Sequence, residues 1–459
     1  MNCRAKIILR SLLLVFVCLS VTSLIAPPFV QAATALISAD ATAARVSSPH
    51  ITTVSRSAKE QIFISYPKPF VTLMGHLSRW KPKRDVTEEC VRTFSSVALA
   101  PEKCLADYKL NIIDSYTSKI LFDFDLESET FQKIIFEPQA GYKFRGLLGL
   151  HQGKKRPLVI FRMGVHGNID EFLAERFIIQ ILYQELGYHV LAIESNTSHG
   201  YLKINSRFSF GAVEEALQTF YVENLITHKK ISWAKDVSDL YLMAVSMGGA
   251  GTFLATYLDE QTQQKIKAVQ MFCPLVNVEQ TFQYHFRPGL KSAVIDFWNS
   301  RRMQEVENKN PELAQINFWP MLLDWKPRFA PRLLQWLDRN EPKPILRIET
   351  FKEQFPDVKF PADFLAHVEK SQGLYQLNNF WPIFKNTKTP IRIVTTGNDP
   401  LVINQLNAEM ISQGQQPGIF EKTTVKEMKG LHCALASEYQ WPFLIEWMRR
   451  GFEGNSLKK

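Results

Sequence analysis

An apolar run that stops abruptly at a serine is the feature that most constrains how this chain can fold. The run Leu240–Val245 has the length and composition of a buried strand, and Ser246 follows it directly. Small residues stand two positions before the serine, at Ala244, and two positions after it, at Gly248, and a helical pattern over 250–257 follows at once. Because only small flanking residues fit a crowded turn, the pattern predicts a sharp strand-to-helix turn with the serine at its tip.

This segment resembles the nucleophile elbow of the α/β-hydrolase superfamily, whose usual pattern is Gly-x-Ser-x-Gly. The chain reads Ala-x-Ser-x-Gly, so Ala244, the smallest alternative, replaces the first glycine. The resemblance implies that Ser246 is the nucleophile of a serine hydrolase. A glycine-rich loop whose serine caps the next helix is the alternative explanation of the pentapeptide.

Strand and helix patterns alternate along most of the chain after residue 130. Strand patterns occupy 131–136, 142–150, 157–161, 189–193, 240–245, 266–273, 390–395 and 423–428. Helical patterns occupy 170–186, 211–227, 402–412 and 438–450. Alternation of this kind predicts an α/β protein with a mainly parallel sheet and helices on both faces. The resemblance makes this the α/β-hydrolase fold.

Composition shifts divide the chain into five predicted segments. They are a signal peptide over 1–32, an N-terminal extension over 33–125, the first part of the α/β-hydrolase core over 126–274, a cap insertion over 275–389 and the second part of the core over 390–459. The insertion is rich in Phe, Trp and Pro, and the resemblance implies a helical cap there; a structural domain packed elsewhere is the alternative. Within the extension, 34–56 is expected to be unstructured and 61–119 to be helical.

The N-terminus has the pattern of a secretory signal peptide. Arg4, Lys6 and Arg10 lie at the start of an apolar run over 11–26, and small residues near Ala32 suit cleavage. The pattern predicts export to the periplasm or secretion, and an uncleaved membrane anchor is the alternative. The run is short for a membrane span, and no second long apolar stretch follows, so no stable span is expected after signal removal.

Charge and motif content limit the expected partners. A net charge of +9 is diluted over 459 residues without a basic stripe, so no nucleic-acid binding is expected. Neither a Cys/His cluster with metal-ligand spacing nor a glycine-rich phosphate loop occurs in the sequence, so neither a metal nor a cofactor is expected.

Four of the six cysteines lie beyond the predicted signal peptide. Cys90 and Cys104 bracket a short polar segment, and an exported chain is expected to join them in a local disulfide. Such a bond would stabilise the fold by about 3 kcal/mol. Cys273 ends an apolar run and is expected to be a buried thiol, and Cys433 is expected to be a small packing residue.

A serine nucleophile needs a base to accept its proton and an acid to orient that base. The resemblance implies that both follow the serine in the chain, acid first and histidine last. Asp399 lies in a turn after the strand pattern 390–395, and His432 closely follows 423–428, so they are the predicted acid and base. Each alone also suits an ordinary turn or packing role, but their order favours the triad. Glu279, after an earlier strand, is the alternative acid.

The charge that develops on the substrate oxygen must meet two backbone N–H groups. The resemblance assigns one to Met247 and the other to the loop after 157–161, where Val165 is the candidate. The predicted function is an exported serine hydrolase that cleaves carboxylic esters, with a small-molecule or lipid-like acyl substrate. A serine peptidase or acyltransferase with the same triad, or an inactive binding protein on this scaffold, are the alternatives.

Overall fold

The computed structural model describes a defined part of the chain. The described residues are 50–54, 76, 131–169, 175–205, 209–289, 292–293, 296, 329–340, 343–381, 383, 387–397, 399–412, 423–428, 432–434 and 441–453. They all belong to one compact unit, Ser47–Lys459. The predicted signal peptide, the predicted Cys90–Cys104 disulfide and all of the predicted helix 61–119 except His76, which is helical, lie outside them. Within these residues no helix is both long and apolar enough to cross a membrane.

Nine strands form a single sheet in the described part of the chain. They are β1 (His50–Val54), β2 (Phe131–Gln139), β3 (Tyr142–Gly149), β4 (Arg156–Arg162), β5 (His189–Ile193), β6 (Val237–Val245), β7 (Ile266–Phe272), β8 (Ile391–Thr396) and β9 (Thr423–Met428). Their order is β1-β2-β3-β5-β4-β6-β7-β8-β9. The pairs from β1 to β3 and the pair β3–β5 are antiparallel, whereas the pairs from β5 through β4 to β9 are parallel. The predicted mainly parallel sheet is confirmed.

Helices cover both faces of this sheet. The described helices are α1 (Glu175–Gln180, continued as a π-helical segment Ile181–Glu185), α2 (His199–Asn205), α3 (Ala212–Thr227), α4 (Gly248–Thr262), α5 (Val278–His285), α6 (Phe329–Asn340), α7 (Ile348–Gln354), α8 (Ala362–Lys370), α9 (Leu374–Asn378), α10 (Ala408–Ser412) and α11 (Trp441–Glu453). Side chains of α3 and α4 belong to one hydrophobic cluster, and those of α1 and α11 belong to the other. The layers match the predicted fold class.

Strand β6 shows why the sequence folds this way. Leu240, Leu242 and Ala244 contribute to the first cluster, whereas the residues between them contribute to the second. Successive side chains of a strand point to opposite faces, so an apolar run without alternation belongs in a sheet that is covered on both faces. Burying each large side chain contributes about 1.5–3 kcal/mol, so the run that precedes Ser246 is held firmly in the sheet.

The expectation that residues 34–56 are unstructured is wrong for His50–Val54. These residues form β1 and pair antiparallel with β2, with Thr52 opposite Ile135. The run His-Ile-Thr-Thr-Val is rich in β-branched residues, which favour strands. The prediction rested on the Ala, Ser and Thr content of the surrounding sequence, which concealed this short strand.

The described residues of the insertion are largely helical and contact two parts of the core. On α3, the ring of Phe220 lies 5.8 Å from that of Phe351 and 5.5 Å from that of Phe360. At the insertion's start, Nε2 of His285 on α5 lies 2.6 Å from the carbonyl oxygen of Leu401. The cap stays a prediction, because residues 297–328 lie outside the described part of the insertion.

A fully buried histidine begins β5 at the edge of the sheet opposite Ser246. The Nδ1 atom of His189 accepts the backbone N–H of His151 at 3.1 Å. Its Nε2 lies 3.2 Å from Lys154 O and 3.1 Å from Asp236 O, so Nε2 carries the proton and donates. Burial lowers the pKa of His189, although the two carbonyl oxygens act against that shift. Protonation of Nδ1 would set two N–H groups against each other.

Acidification is therefore expected to destabilise the protein through His189. A group whose pKa is lowered on folding contributes stability that is complete above its unfolded value of about 6.5 and is lost as pH falls through the folded value. The urea midpoint should fall between about pH 8 and pH 5.5. It should fall less steeply in His189→Gln, which keeps a donor and an acceptor but does not titrate in this range. His199→Gln, at an exposed position, serves as the control. If the urea midpoint falls equally steeply with pH in the wild type and in both variants, His189 is not the group responsible.

Candidate active site

The predicted site residues all follow strands that end at one edge of the sheet. Ser246 follows β6, and Val165 lies in the loop after β4. Asp399 lies three residues beyond β8, and His432 lies four residues beyond β9. Since β4 and β6 to β9 run parallel, their carboxyl ends meet at the same edge. The topology thus gathers residues that are up to 267 positions apart (165 to 432).

The predicted sharp turn is formed at Ser246. This residue has a φ of +53°, in the left-handed region that a side chain other than glycine rarely adopts. Its N–H donates to Phe272 O at 2.9 Å, and its carbonyl oxygen accepts from Gly249 N at 3.0 Å and Leu275 N at 2.8 Å. A left-handed residue costs about 1–3 kcal/mol, and these three hydrogen bonds hold it in place.

Close backbone approach explains the glycine two positions after Ser246. A Cβ atom at Gly248 would lie 2.7 Å from Met163 O and 2.9 Å from Arg162 O. Both are backbone atoms and cannot rotate away, so the N-terminus of α4 reaches the loop after β4 only without a side chain. Ala244, where the usual pattern has glycine, is fully buried within the sheet and is accommodated there.

The candidate acid and base are in direct contact. Nδ1 of His432 lies 2.9 Å from both Oδ1 and Oδ2 of Asp399. Oδ1 of Asp399 also accepts the backbone N–H groups of Leu401 at 2.8 Å and Val402 at 2.9 Å. A carboxylate facing Nδ1 places the proton on that nitrogen, so Nε2 of His432 is the proton acceptor.

The environment of Asp399 keeps its carboxylate ionised. Burial by itself would raise the pKa of Asp399, but the charge and hydrogen bond of His432 and the N–H groups of Leu401 and Val402 together lower it below its ordinary value. An ionised acid can stabilise an imidazolium that forms on His432 during proton transfer.

The histidine loop also lies beside the serine turn. Phe272 O accepts the N–H of Ser246 at 2.9 Å and lies 3.5 Å from Sγ of Cys433, the neighbour of His432. Among the described residues, Ser246 Oγ makes no hydrogen bond to His432. Such catalytic hydrogen bonds are often long without substrate and shorten in the substrate complex.

The backbone N–H groups around Ser246 differ in whether they already have an acceptor. In the loop after β4, the N–H groups of Met163, His166 and Gly167 donate to Ile193 O, Thr197 Oγ1 and Gly164 O. By contrast, the N–H groups of Gly164, Val165 and Met247 have no acceptor among the described residues. A Cβ atom at Gly164 would lie 3.2 Å from Ser246 Cβ, so this loop runs close to Ser246. Val165 and Met247 are therefore retained as the candidate donors.

Two residues, His166 and Arg162, anchor the candidate oxyanion loop to neighbouring elements. His166 donates its N–H to Thr197 Oγ1 at 2.9 Å, and its Nδ1 lies 2.9 Å from Thr197 O, which assigns it a structural role in this loop. Arg162, the last residue of β4, is fully buried and donates to Gln218 Oε1 on α3 at 2.9 Å. Its guanidinium lies 3.5 Å from Glu215, whose pKa burial raises to about 7 although Arg162 acts against that shift.

The structure does not bring the alternative acid to the site. Glu279 is exposed on α5, and its Oε1 accepts a hydrogen bond from Gln283 at 3.0 Å, one helical turn away. Asp399 is the only one of the two candidate acids that contacts His432 within the described residues.

The expectations for Cys273 and Cys433 are wrong, because the two residues form a disulfide with each other. Each follows a strand end at the same sheet edge, so residues 160 positions apart meet there. Their ligand atoms and those of Asp399 and His432 lie within 4.8 Å of one another. The two sulfurs are bonded together and do not supply the free thiolates that bind zinc.

Sequence reasoning missed two contributors to this site. The Cys273–Cys433 pair had a usable signal, since both cysteines lie just beyond parallel strands in a chain with a predicted signal peptide. Thr197 had no such signal, because a hydroxyl that fastens a neighbouring loop has no characteristic sequence pattern.

A strand, a turn at Ser246, a helix, and an acid and a base beyond later parallel strands form the arrangement implied by the resemblance. The predicted α/β-hydrolase fold is confirmed. No protein-family model matches the sequence, and no curated protein matches it.

Solved structures with a similar chain fold include several hydrolases. A proposed hydrolase from Legionella pneumophila is 14% identical with a TM-score of 0.44, over 76% of this chain and 97% of that one. An esterase of Pyrococcus furiosus is 13% identical with a TM-score of 0.37, over 68% of this chain and 86% of that one. An acylaminoacyl peptidase of Pyrococcus horikoshii is 14% identical with a TM-score of 0.38, over 72% of this chain and 42% of that one. At these identities and scores, the likeness does not extend to activity or substrate.

Proposed function

We propose that the protein is a serine hydrolase that cleaves carboxylic esters through an acyl-enzyme intermediate. The observation that carries the proposal is the 2.9 Å contact between His432 Nδ1 and the buried Asp399, at the sheet edge where Ser246 occupies a left-handed turn. Turn packing alone does not require a histidine to face a carboxylate beside a strained serine. A triad for acyl transfer requires the serine, the histidine and the carboxylate together.

The reaction uses each residue in a defined role. Nε2 of His432 accepts the proton of Ser246 Oγ as that oxygen bonds to the ester carbon. The N–H groups of Met247 and Val165 stabilise the negative oxygen of the tetrahedral intermediate, and Asp399 stabilises the imidazolium. The imidazolium then protonates the departing alcohol. A water molecule, deprotonated by the same Nε2, releases the acid and restores the serine. No cofactor takes part.

The substrate class and the location belong to the same proposal. A small-molecule or lipid-like acyl ester suits a single-serine acyl-enzyme reaction, and peptide hydrolysis or acyl transfer are reactions of the same chemistry. Export is supported by the predicted signal peptide over 1–32.

A fluorophosphonate probe tests the assignment directly. The probe phosphonylates an activated serine with loss of fluoride, so peptide mass spectrometry is expected to find one adduct, on Ser246. The chain provides internal controls in Ser195, Ser198 and Ser209, which are buried and do not belong to the proposed triad. The heat-denatured protein should not react.

The outcomes separate the candidate functions. An adduct at Ser246 together with ester turnover supports the proposal, and turnover of amides or transfer to an acceptor alcohol instead would assign a peptidase or acyltransferase. No adduct and no turnover of short or long acyl esters by the folded protein would overturn the proposal in favour of a binding protein.

A further inference from the structure

A covalent bridge lies beside the candidate triad. Cys273 directly follows β7, and Cys433 directly follows His432; their Cα atoms are 4.9 Å apart. Both residues are almost fully buried, with 0% and 2% of their surface exposed. The bond therefore joins the loop that carries the candidate base to the strand beside Ser246.

Both bridged residues adopt the backbone conformation that marks this site. Cys273 has a φ of +36° and Cys433 a φ of +54°. Six non-glycine residues in the described part of the chain have a positive φ, and four of them lie around the site. These four are His166, Ser246, Cys273 and Cys433. Residues persist in such conformations where their surroundings fix them, and they concentrate at functional sites. The bridge is thus part of the constrained framework of the site.

Cys433 contacts the surroundings of both other triad members. Its Sγ lies 3.5 Å from Phe272 O, the atom that accepts the N–H of Ser246. Because a bonded sulfur has no hydrogen to donate, this is a packing contact. The N–H of Cys433 donates to Asp399 Oδ2 at 3.3 Å. Cys433, the chain neighbour of His432, therefore contacts both the carbonyl oxygen that holds Ser246 and the carboxylate of Asp399.

We propose that the Cys273–Cys433 disulfide is a positioning element that holds the backbone of His432 so that Nε2 can reach Ser246 Oγ. This inference rests on the proposed function, since it assigns a role within the same site. The hydrogen bond to Asp399 sets the direction of the imidazole ring. It does not tie the backbone of His432 to β7, the parallel neighbour of β6, and among the described residues the disulfide is the covalent cross-link that does so, through Cys273.

Opening the bond should impair proton transfer more than substrate binding. A dithiol reductant supplies two electrons and two protons, which convert the bridge into two thiols while the reductant closes into its own disulfide. A misplacement of about 1 Å can lower the rate of a positioned reaction by about 10²-fold. The expected signature is a lower kcat with a nearly unchanged KM. Sγ of Cys433 lies 3.3 Å from Nε2 of His432, the proposed proton acceptor, whereas neither sulfur belongs to the proposed oxyanion hole.

The test removes the bridge and compares it with a matched pair. In Cys273→Ala/Cys433→Ala, kcat for a p-nitrophenyl ester and the rate of fluorophosphonate labelling should both fall by about 10- to 100-fold, with KM within about twofold. Cys90→Ala/Cys104→Ala removes the same number of cysteines, neither of which is a predicted site residue, and should leave kcat unchanged. A folded bridge variant with wild-type kcat would overturn the positioning role.

Two further measurements keep the inference decidable. Alkylation of denatured, unreduced wild-type protein should leave Cys273 and Cys433 unmodified, and free thiols at both positions would overturn it without reference to activity. If the double variant does not fold, the wild type is reduced with dithiothreitol while circular dichroism monitors folding. A fall in kcat that reverses on reoxidation supports the role, and an unchanged kcat with both thiols free refutes it. A wild type without Ser246-dependent turnover overturns both proposals, whereas an active enzyme indifferent to the bridge overturns only this one.

Discussion

Ser246→Ala is expected to lower kcat for ester hydrolysis by about 10⁶-fold, to near the uncatalysed rate with residual help from binding and the oxyanion donors. In the proposed reaction the side-chain oxygen of Ser246 is the atom that bonds to the acyl carbon. Steady-state turnover of a p-nitrophenyl ester, measured at high enzyme concentration, provides the test. A loss of less than about 10²-fold would mean that another residue performs the attack.

The stability of this variant should separate chemistry from folding. Ser246 Oγ has no hydrogen-bond partner in the described part of the chain, so its removal leaves no buried donor unpaired. Alanine can occupy the same left-handed turn at a similar cost. The free energy of unfolding, measured in urea, should therefore change by no more than about 0.5 kcal/mol. Ser238→Ala, on the same strand and exposed, should change neither activity nor stability. A Ser246→Ala protein that unfolds readily would make a structural role the better explanation.

Local patterns in the sequence were sufficient for the fold class. Strand β6 is apolar without alternation, which requires a sheet covered on both faces, and the small residues after it require a sharp turn. These signals come from a few adjacent residues, and the structure confirms them. Strand β1 escaped notice because five residues within a Ser- and Thr-rich stretch show a pattern only when their partner strand is known.

Contacts between distant residues were predictable only where a topology was assumed. Asp399 and His432 were placed together because the resemblance implies an acid and then a histidine after later strands, and they are in contact. The Cys273–Cys433 bond follows from the same geometry, but a buried thiol and a packing residue explained each cysteine adequately when taken alone. The contact of Thr197 with His166 depends on loop conformation, which neither hydrophobic periodicity nor motif spacing encodes.

Asp399→Asn is expected to lower kcat by about 10⁴-fold while leaving the fold intact. Oδ1 of Asp399 accepts the N–H groups of Leu401 and Val402, so the asparagine oxygen should take that position. Its amide nitrogen then occupies the position of Oδ2, 2.9 Å from Nδ1 of His432. An amide N–H that faces Nδ1 favours the tautomer in which Nδ1 accepts and Nε2 carries the proton, and it competes with the oxygen at the Oδ1 position, which also lies 2.9 Å from Nδ1. In that tautomer Nε2 cannot accept the proton of Ser246.

Asp338→Asn is the matched control for this change. Asp338 Oδ1 also accepts a backbone N–H, that of Leu374 at 2.6 Å, but it lies on α6 without a histidine contact among the described residues. It should keep wild-type kcat, and the KM of Asp399→Asn should also stay close to the wild-type value, because the lost interaction acts on proton transfer. The rate of fluorophosphonate labelling should fall in parallel with kcat, since both require a deprotonated serine oxygen. A kcat within about tenfold of wild type would show that the histidine tautomer does not limit the reaction, and the pairing of Asp399 with His432 would then be structural.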